Sequence, residues 1–241
     1  MPLRRSEPQI RSPASWHELP MGDWIAGELQ HRLDVWCPHL FGYHLLKLGA
    51  LSGELSCTMS TIRHQLVVAP EGRLATVRAD LDALPIRCGS VDACLLAHTL
   101  DFSRDPHQVL REVERVLTDD GWVIISGSNP LSLLGMGRSM PWLRRRLPWS
   151  GRMFTPRRII DWLKLLGFEV MFDERFGYGW GGGGGWWYES LGHDYCRHLA
   201  STYIIAARKR RAPLLPIQKR WALPRSLATP GMARVFEDQG R

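Results

Sequence analysis

A chain of 241 residues, 44% of them hydrophobic and 23% charged, is long enough for one domain with a well-buried core. No apolar run reaches the length of a membrane span, and the polar, proline-rich first 20 residues do not read as a signal peptide. The cysteines form no C-x-x-C pair, which argues against a disulfide framework and a zinc site and predicts a reducing compartment, by default the cytoplasm. They are Cys37, Cys57, Cys88, Cys94 and Cys196.

The net charge of +7 resides in the last part of the chain. From Arg208 onward nine Lys and Arg residues accompany two acidic ones, which leaves 22 residues of each sign in residues 1–207. Together with four prolines, this charge predicts a basic, disordered tail over residues 211–241, whose role is either solubilising or contact with nucleic acid or acidic lipid. Residues 1–18 are predicted to be a flexible segment, and residues 19–210 the folded domain.

The first part of the chain shows one helix and several strands. Residues 20–37 place apolar side chains at near-helical spacing, and Pro38 ends the helix. Residues 43–48 form a short apolar strand that leads into a glycine-containing turn at 49–53. Residues 65–80 contain two β-type runs around a Pro-Glu-Gly turn, which predicts a hairpin or two strands joined tightly.

A buried strand at residues 90–98 precedes the clearest helix signal. Asp105 is the expected N-cap, a proline follows at the first helical position, and Gln108 completes a capping box. An Asp-Asp-Gly turn at 119–121 ends the helix, and residues 122–126 form the next buried strand. The apolar stripe of the helix comprises Val109, Leu110, Val113, Val116 and Leu117.

The same pattern recurs near the end of the domain. Thr155 is the expected N-cap of a helix that Gly167 ends, and strands follow at 168–172 and 201–209. Alternating strands and helices predict an α/β sandwich with a mainly parallel sheet. Ligands bind such sheets at the carboxyl ends of the strands. Here those ends are the loops 49–53, 80–86, 98–104 and 127–131.

Two stretches, RADLDALPIRCGSVDACLLAHTL and DPHQVLREVERVLTDDGWVIISGSNP, carry a resemblance to a known family. They resemble the class I S-adenosylmethionine-dependent methyltransferases of the type 11 kind, and FTPRRIIDWLKLLGFEV and YIIAARK match the C-terminal elements of that family. The resemblance covers most of residues 40–210 and looks closest to a proteobacterial subgroup with SGxNPxS, here Ser126–Ser132, and a degenerate glycine loop. It implies a Rossmann-like three-layer sandwich with an antiparallel last strand.

The resemblance also implies a cofactor, S-adenosylmethionine, and the residues that bind it. Gly49 and Gly53 would let the backbone approach the amino-acid end of the cofactor. Asp80, followed by Leu81, would accept a hydrogen bond from the adenine amino group, and His98 would line the cofactor. The alternative for Asp80 is a turn or cap residue.

The first loop departs from the family pattern acidic-x-Gly-x-Gly-x-Gly. Lys47 replaces the acid and Leu51 the middle glycine, so that only Gly49 and Gly53 remain. A lysine cannot accept a hydrogen bond from the cofactor's ammonium and repels its positive charges, although it can pair with the carboxylate. The acid that holds the ribose is not evident, and Glu71 is the nearest candidate. These departures count against turnover more than against the fold.

His98 is the candidate catalytic residue. A neutral imidazole at this position can take a proton from a hydroxyl or an amine as the methyl group leaves the sulfur. The alternative is a histidine that only caps a strand. For Asn129, which precedes a proline, a turn role is favoured over a substrate contact.

Two segments of unusual composition lie in the second half. Residues 121–160 hold seven arginines and no acidic residue, which fits a basic and apolar cover for an anionic or amphipathic substrate, or equally a solvated face. Residues 176–190 are rich in glycine and are interpreted as a flexible loop, since the strand–turn–helix context of a phosphate loop is missing.

Two functions follow. The first is methyl transfer from S-adenosylmethionine to an unidentified O, N or C nucleophile. The second is a methyltransferase-like module that has lost turnover and serves binding or regulation. A nucleic-acid binder is weaker because the body of the chain is neutral, and a nicotinamide-dependent dehydrogenase is disfavoured because the G-x-G-x-x-G fingerprint is missing.

Overall fold

The computed structural model describes residues 12–137, 140, 146–178 and 199–210. Most of the glycine-rich segment, the predicted basic tail and part of the arginine-rich stretch lie outside these residues. Within the described ranges, no helix has the length and apolar character needed to cross a membrane.

Seven strands form one sheet in the order β3-β2-β1-β4-β5-β7-β6. Neighbouring strands are parallel except at β7, which is antiparallel to both β5 and β6. The predicted fold, a Rossmann-like α/β sandwich with a mainly parallel sheet and an antiparallel last strand, is confirmed. The strands are β1 His44–Leu48, β2 His64–Ala69, β3 Val77–Arg78, β4 Val91–Ala97, β5 Leu117–Ser128, β6 Phe168–Phe176 and β7 Thr202–Lys209.

Helices cover both faces of the sheet. Alternate residues of β1 point to opposite sides, so that Leu46 and Leu48 join one hydrophobic cluster and Leu45 joins the other. The first cluster takes the apolar faces of α3 and α5, and the second takes those of α1 and α2. The helices are α1 Gly22–Trp36, α2 Ala50–Glu54, α3 Pro106–Val116, α4 Leu133–Met136 and α5 Pro156–Leu165.

The predicted start of α3 is present, but its predicted end is different. Asp105 Oδ1 accepts the backbone N–H groups of His107 and Gln108 at 3.0 and 3.1 Å, whereas the Gln108 amide donates to the Asp82 carbonyl rather than back to the cap. The expected turn at 119–121 lies inside β5. There Val91 pairs with Leu117 and Ala93 pairs with Trp122, so the extra residues form an irregularity in the strand.

The two β-type runs of residues 65–80 do not form a hairpin. They are β2 and β3, which run parallel with Val68 opposite Val77. A parallel pair usually needs a crossover of about a dozen residues or more, commonly a helix. Here the connection comprises only residues 70–76 and contains no helix. The edge strand β3 that follows it is two residues long.

The segment before α1 contributes to the core from Trp16 onward. Trp16 begins a 3₁₀ turn and is 2% exposed within the cluster on the α1 face. Its indole N–H donates to the Leu51 carbonyl at 3.0 Å, and its backbone N–H donates to Glu54 at 3.2 Å. These bonds connect the segment to α2. The domain boundary at residue 18 stays a prediction.

Candidate functional site

The turn after β1 adopts a conformation that only glycine tolerates easily. Gly49 has φ 89° and ψ 158°, and its N–H donates to the Val68 carbonyl at 2.8 Å. A Cβ atom added at Gly49 would lie 3.0 Å from Thr99 Oγ1. β1 and β4 are neighbours, with β2 on the other side of β1, so Gly49 lies where the strand order reverses. This is the place at which parallel sheets bind ligands.

Two hydroxyl groups fix this turn against β4. Ser52 and Thr99 each donate to the Leu48 carbonyl at 2.6 Å. Ser52 Oγ also accepts the Ala97 backbone N–H at 2.7 Å. Ser52 is fully buried, and these bonds join the ends of β1 and β4 through side chains rather than through the sheet alone.

Lys47 and Leu51, the residues that depart from the family pattern, both have partners inside the protein. Lys47 is 6% exposed, and its Nζ donates to the Leu55 carbonyl at 2.7 Å. Leu51 is buried in the cluster on the α1 face. The ammonium group of Lys47 therefore binds a backbone carbonyl at the end of α2, and the Leu51 side chain packs in the hydrophobic core.

His98 follows β4 in a left-handed conformation, with φ 52°, and is 2% exposed. Its Nδ1 atom lies 3.1 Å from Asp101 Oδ2 and 3.2 Å from Ser128 Oγ. In the described part of the chain, Nε2 has no hydrogen-bond partner. The ring of Trp16 meets the imidazole edge to face, with 5.3 Å between centroids.

Sequence reasoning missed Asp101 and Ser128. Asp101 Oδ2 accepts the Ser128 backbone N–H at 2.8 Å, and the carboxylate lies in a buried region that also holds Tyr203. Burial raises the pKa of Tyr203, and the negative charges of Asp101 and Asp173 raise it further. The sequence does place an aspartate three residues after the histidine. That spacing indicates a contact only when the chain is known to turn between the two residues.

Asp80 and Leu81 follow β3 at the edge of the sheet. Asp80 is exposed, and its carbonyl accepts the Ala83 N–H at 3.3 Å. Burial raises the pKa of Asp82, and the charges of Asp105 and Asp80 add to the shift. The loop therefore has an acidic character that suits a cationic ligand.

A salt bridge on α3 supports the loop that carries Asp80. Arg115 Nη2 donates to Glu112 Oε2 at 2.8 Å and to the Leu84 carbonyl at 2.9 Å, while Glu112 accepts the Leu84 backbone N–H at 2.9 Å. The hydrogen bonds from Arg115 and the Leu84 N–H hold the pKa of Glu112 below its ordinary value against the opposing effect of burial. The segment after Asp80 is thus anchored to a helix.

The ribose candidate lies beside the glycine turn. Glu71 is exposed, and a Cβ atom added at its neighbour Gly72, which has φ 137°, would lie 3.3 Å from Ala50 Cβ. The β2–β3 connection therefore passes close to the start of α2.

Among the described residues, no group of three metal-ligating side chains is present.

Asn129 makes backbone contacts of the kind expected for a turn residue. Its side-chain NH2 group donates to the Ala200 carbonyl at 2.8 Å, and its side-chain oxygen accepts the Leu131 N–H at 3.1 Å.

The arginine-rich stretch is described only in part. There the guanidinium of Arg158 lies 5.2 Å from the ring of Trp162. A role of this stretch in covering a substrate stays a prediction.

Gly49, Gly53 and His98 follow β1 and β4, whereas Asp80 and Leu81 follow β3, which is separated from β1 by one strand, β2. Gly53 lies on α2, where an added Cβ atom would be 3.0 Å from Val67 Cγ1. All of these residues lie at the carboxyl edge of the sheet.

Comparisons with solved structures agree on the fold. An S-adenosylmethionine-dependent methyltransferase from Archaeoglobus fulgidus has a TM-score of 0.56 at 16% identity, covering 76% of this chain and 94% of its own. One from Thermotoga maritima has a TM-score of 0.53 at 19% identity, covering 79% and 96%. The [4+2]-cyclase SpnF has a TM-score of 0.57 at 16% identity, covering 86% of both chains.

Comparisons of sequence define the family. The Escherichia coli (strain K12) protein YafS, described as uncharacterized, is 41% identical over 230 residues, which is 93% of each chain. A family model described as a methyltransferase domain matches residues 46–125, from β1 to within β5. The chain therefore belongs to one family with YafS, and its residues 46–125 match a methyltransferase domain within a fold that S-adenosylmethionine-dependent methyltransferases share.

Proposed function

We propose that the protein transfers a methyl group from S-adenosylmethionine to an acceptor at the carboxyl ends of β1, β3 and β4. The observation that carries this proposal is the turn at Gly49, whose backbone conformation excludes a side chain at the switch point of a methyltransferase-type sheet. In methyltransferases with this domain the cofactor is S-adenosylmethionine, which supplies an already activated methyl group. The protein then has to bind the cofactor and the acceptor, orient them toward each other, and exclude water from the site.

We expect the following described residues to hold this cofactor. Gly49 and Gly53 would lie at its amino-acid end, where an added Cβ atom would crowd Thr99 or Val67 at 3.0 Å. Asp80 offers an exposed carboxylate to the adenine amino group, and Leu81, half-buried on the core, offers an apolar surface beside it.

The contact of Lys47 directs its side chain away from the proposed amino-acid end of the cofactor. An ammonium at this position repels the sulfonium and the ammonium of the cofactor, and it does so more strongly the closer it lies. The Nζ of Lys47 donates to the Leu55 carbonyl, beyond the end of α2. We therefore expect Lys47 to stabilise the turn from below and not to contact the cofactor.

His98 is proposed as the catalytic residue. Its Nε2 atom is a buried polar atom without a hydrogen-bond partner among the described residues, next to the Gly49 turn through Thr99. A group of this kind can accept the proton of a hydroxyl or amine acceptor.

A second candidate function is binding or regulation without methyl transfer. The replacement of the acid by Lys47 favours it, since the cofactor's ammonium loses its usual acceptor, and Glu71 is the nearest candidate to hold the ribose. The likeness to SpnF, named for a cyclase activity, illustrates that this fold also serves other chemistry.

Thermal unfolding of the full chain with S-adenosylmethionine or S-adenosylhomocysteine tests the proposal. Ligand at about 100 times its Kd stabilises the native state by about 2.7 kcal/mol, which raises the melting temperature. No shift at millimolar ligand contradicts methyl transfer and favours the second candidate function.

Asp80→Ala tests the position of the adenine. We expect weaker binding of S-adenosylhomocysteine and unchanged stability without ligand, because the Asp80 carboxylate is exposed. Asp161→Ala is the matched control, since Asp161 is an exposed carboxylate on α5. Equal affinity of the two variants removes Asp80 from the site.

A further inference from the structure

A buried hydrogen-bonded group surrounds Nδ1 of His98. Asp101 Oδ2 lies 3.1 Å from Nδ1 and accepts the Ser128 backbone N–H at 2.8 Å, while the Ser128 hydroxyl lies 3.2 Å from the same ring nitrogen. The side chains of His98 and Asp101 are 2% and 3% exposed. The aspartate is therefore oriented by the backbone of β5, and the imidazole is oriented by the aspartate.

This arrangement defines which ring nitrogen of a neutral His98 carries the proton. An ionised carboxylate only accepts hydrogen bonds, so Asp101 favours the proton on Nδ1. Nε2 then has a free lone pair, which no described residue satisfies. A buried polar atom without a partner costs free energy, and such atoms in native proteins call for an explanation, catalysis among them.

We propose that Asp101 is the positioning residue that holds His98 with Nε2 as the proton acceptor for the methyl acceptor. The inference rests on the proposed function and narrows the acceptor to a hydroxyl or an amine that still carries a proton. As the acceptor oxygen or nitrogen bonds to the methyl carbon, the C–S bond breaks and its electron pair stays on sulfur. The acceptor's proton passes to Nε2, and Asp101 stabilises the imidazolium until the proton leaves to water.

The Trp16 ring packs against the imidazole of His98. It lies edge to face with the imidazole and is held by its hydrogen bond to the Leu51 carbonyl. His98 is almost fully buried, so the protein must open locally for an acceptor to reach Nε2.

Nitrogen NMR of the full chain labelled at its histidines measures the proton position directly. The chain has nine histidines, and a His98→Gln variant identifies the His98 signals. At a pH where His98 is neutral, we expect Nδ1 to be protonated and Nε2 to be unprotonated. Asp101→Ala should produce a mixture of both tautomers, whereas Ser128→Ala, the matched control, should keep the wild-type tautomer because the carboxylate remains.

A protonated Nε2 in the wild-type protein overturns the proposal, and so does an unchanged tautomer in Asp101→Ala. The wild-type spectrum alone is decisive for the first outcome, so the test does not depend on how well a variant folds. Stabilisation by S-adenosylhomocysteine is measured on the same samples. Its absence in the wild type refutes the proposed function and the use of Nε2 as a base, whereas its presence together with the expected tautomers supports both.

Discussion

Replacing Gly49 by alanine is expected to strain the turn on which the proposed cofactor site depends. Gly49 has φ 89° and ψ 158°, a region that L residues almost never occupy. Holding an alanine there costs about 1 to 3 kcal/mol. The added Cβ atom would also lie 3.0 Å from Thr99 Oγ1, which already donates to the Leu48 carbonyl.

The matched control is Gly27→Ala. Gly27 lies in α1 without a positive φ, and a Cβ atom added there meets nothing within 4 Å. Alanine is the better helix former, so this variant should be more stable than the wild type by about 0.5 to 1 kcal/mol. The two substitutions are chemically identical and differ in the sign of their effect.

Equilibrium urea unfolding followed by circular dichroism measures both variants. We expect a lower midpoint for Gly49→Ala, a higher one for Gly27→Ala, and weaker binding of S-adenosylhomocysteine only for Gly49→Ala. If Gly49→Ala is as stable as the wild type while Gly27→Ala behaves as expected, the strained conformation assigned to the turn is wrong.

Three further predictions concern the surroundings of the site. Ser52→Ala leaves the Ala97 N–H without its partner and should lower the free energy of unfolding by about 1 to 3 kcal/mol in the same urea titration; a loss below the error of the titration would contradict the bond. Glu112→Gln should be less stable at neutral pH by about 1 to 2 kcal/mol. The pKa of Glu112 is lowered in the folded protein, so its contribution is present above the unfolded value of about 4.3 and is lost as the pH falls through the folded value. A difference from the wild type that persists in acid would refute that assignment. Trp16→Ala should expose His98 to diethyl pyrocarbonate, measured as carbethoxylation by mass spectrometry, and equal labelling in the wild type would show that Trp16 does not cover it.

Local signals in the sequence predicted the elements that local chemistry determines. The cap at Asp105 is found at the start of α3, and the glycine after the first strand adopts the positive φ that makes a glycine necessary there. Both are decided within a few residues of the chain. The end of α3 was predicted less well, because the pairing of β5 with β4 extends the strand back through the expected turn.

The contacts across the sheet could not be predicted from one sequence. The turn after β4 brings Asp101 to His98, and the neighbouring strand β5 brings Ser128 to it. Trp16 contacts the same ring from the segment that precedes α1. Lys47 was expected to disturb the cofactor, but its partner is a carbonyl beyond α2. Each of these contacts depends on how distant segments pack rather than on residue spacing.

A crystal structure of the full chain with S-adenosylhomocysteine is the most direct measurement of the proposed function. We predict that the adenine lies beside Asp80 and Leu81, and that the amino-acid end lies at the turn of Gly49, with Lys47 still bound to the Leu55 carbonyl. A ligand bound elsewhere, or a site that stays empty at saturating ligand, would contradict the proposed function.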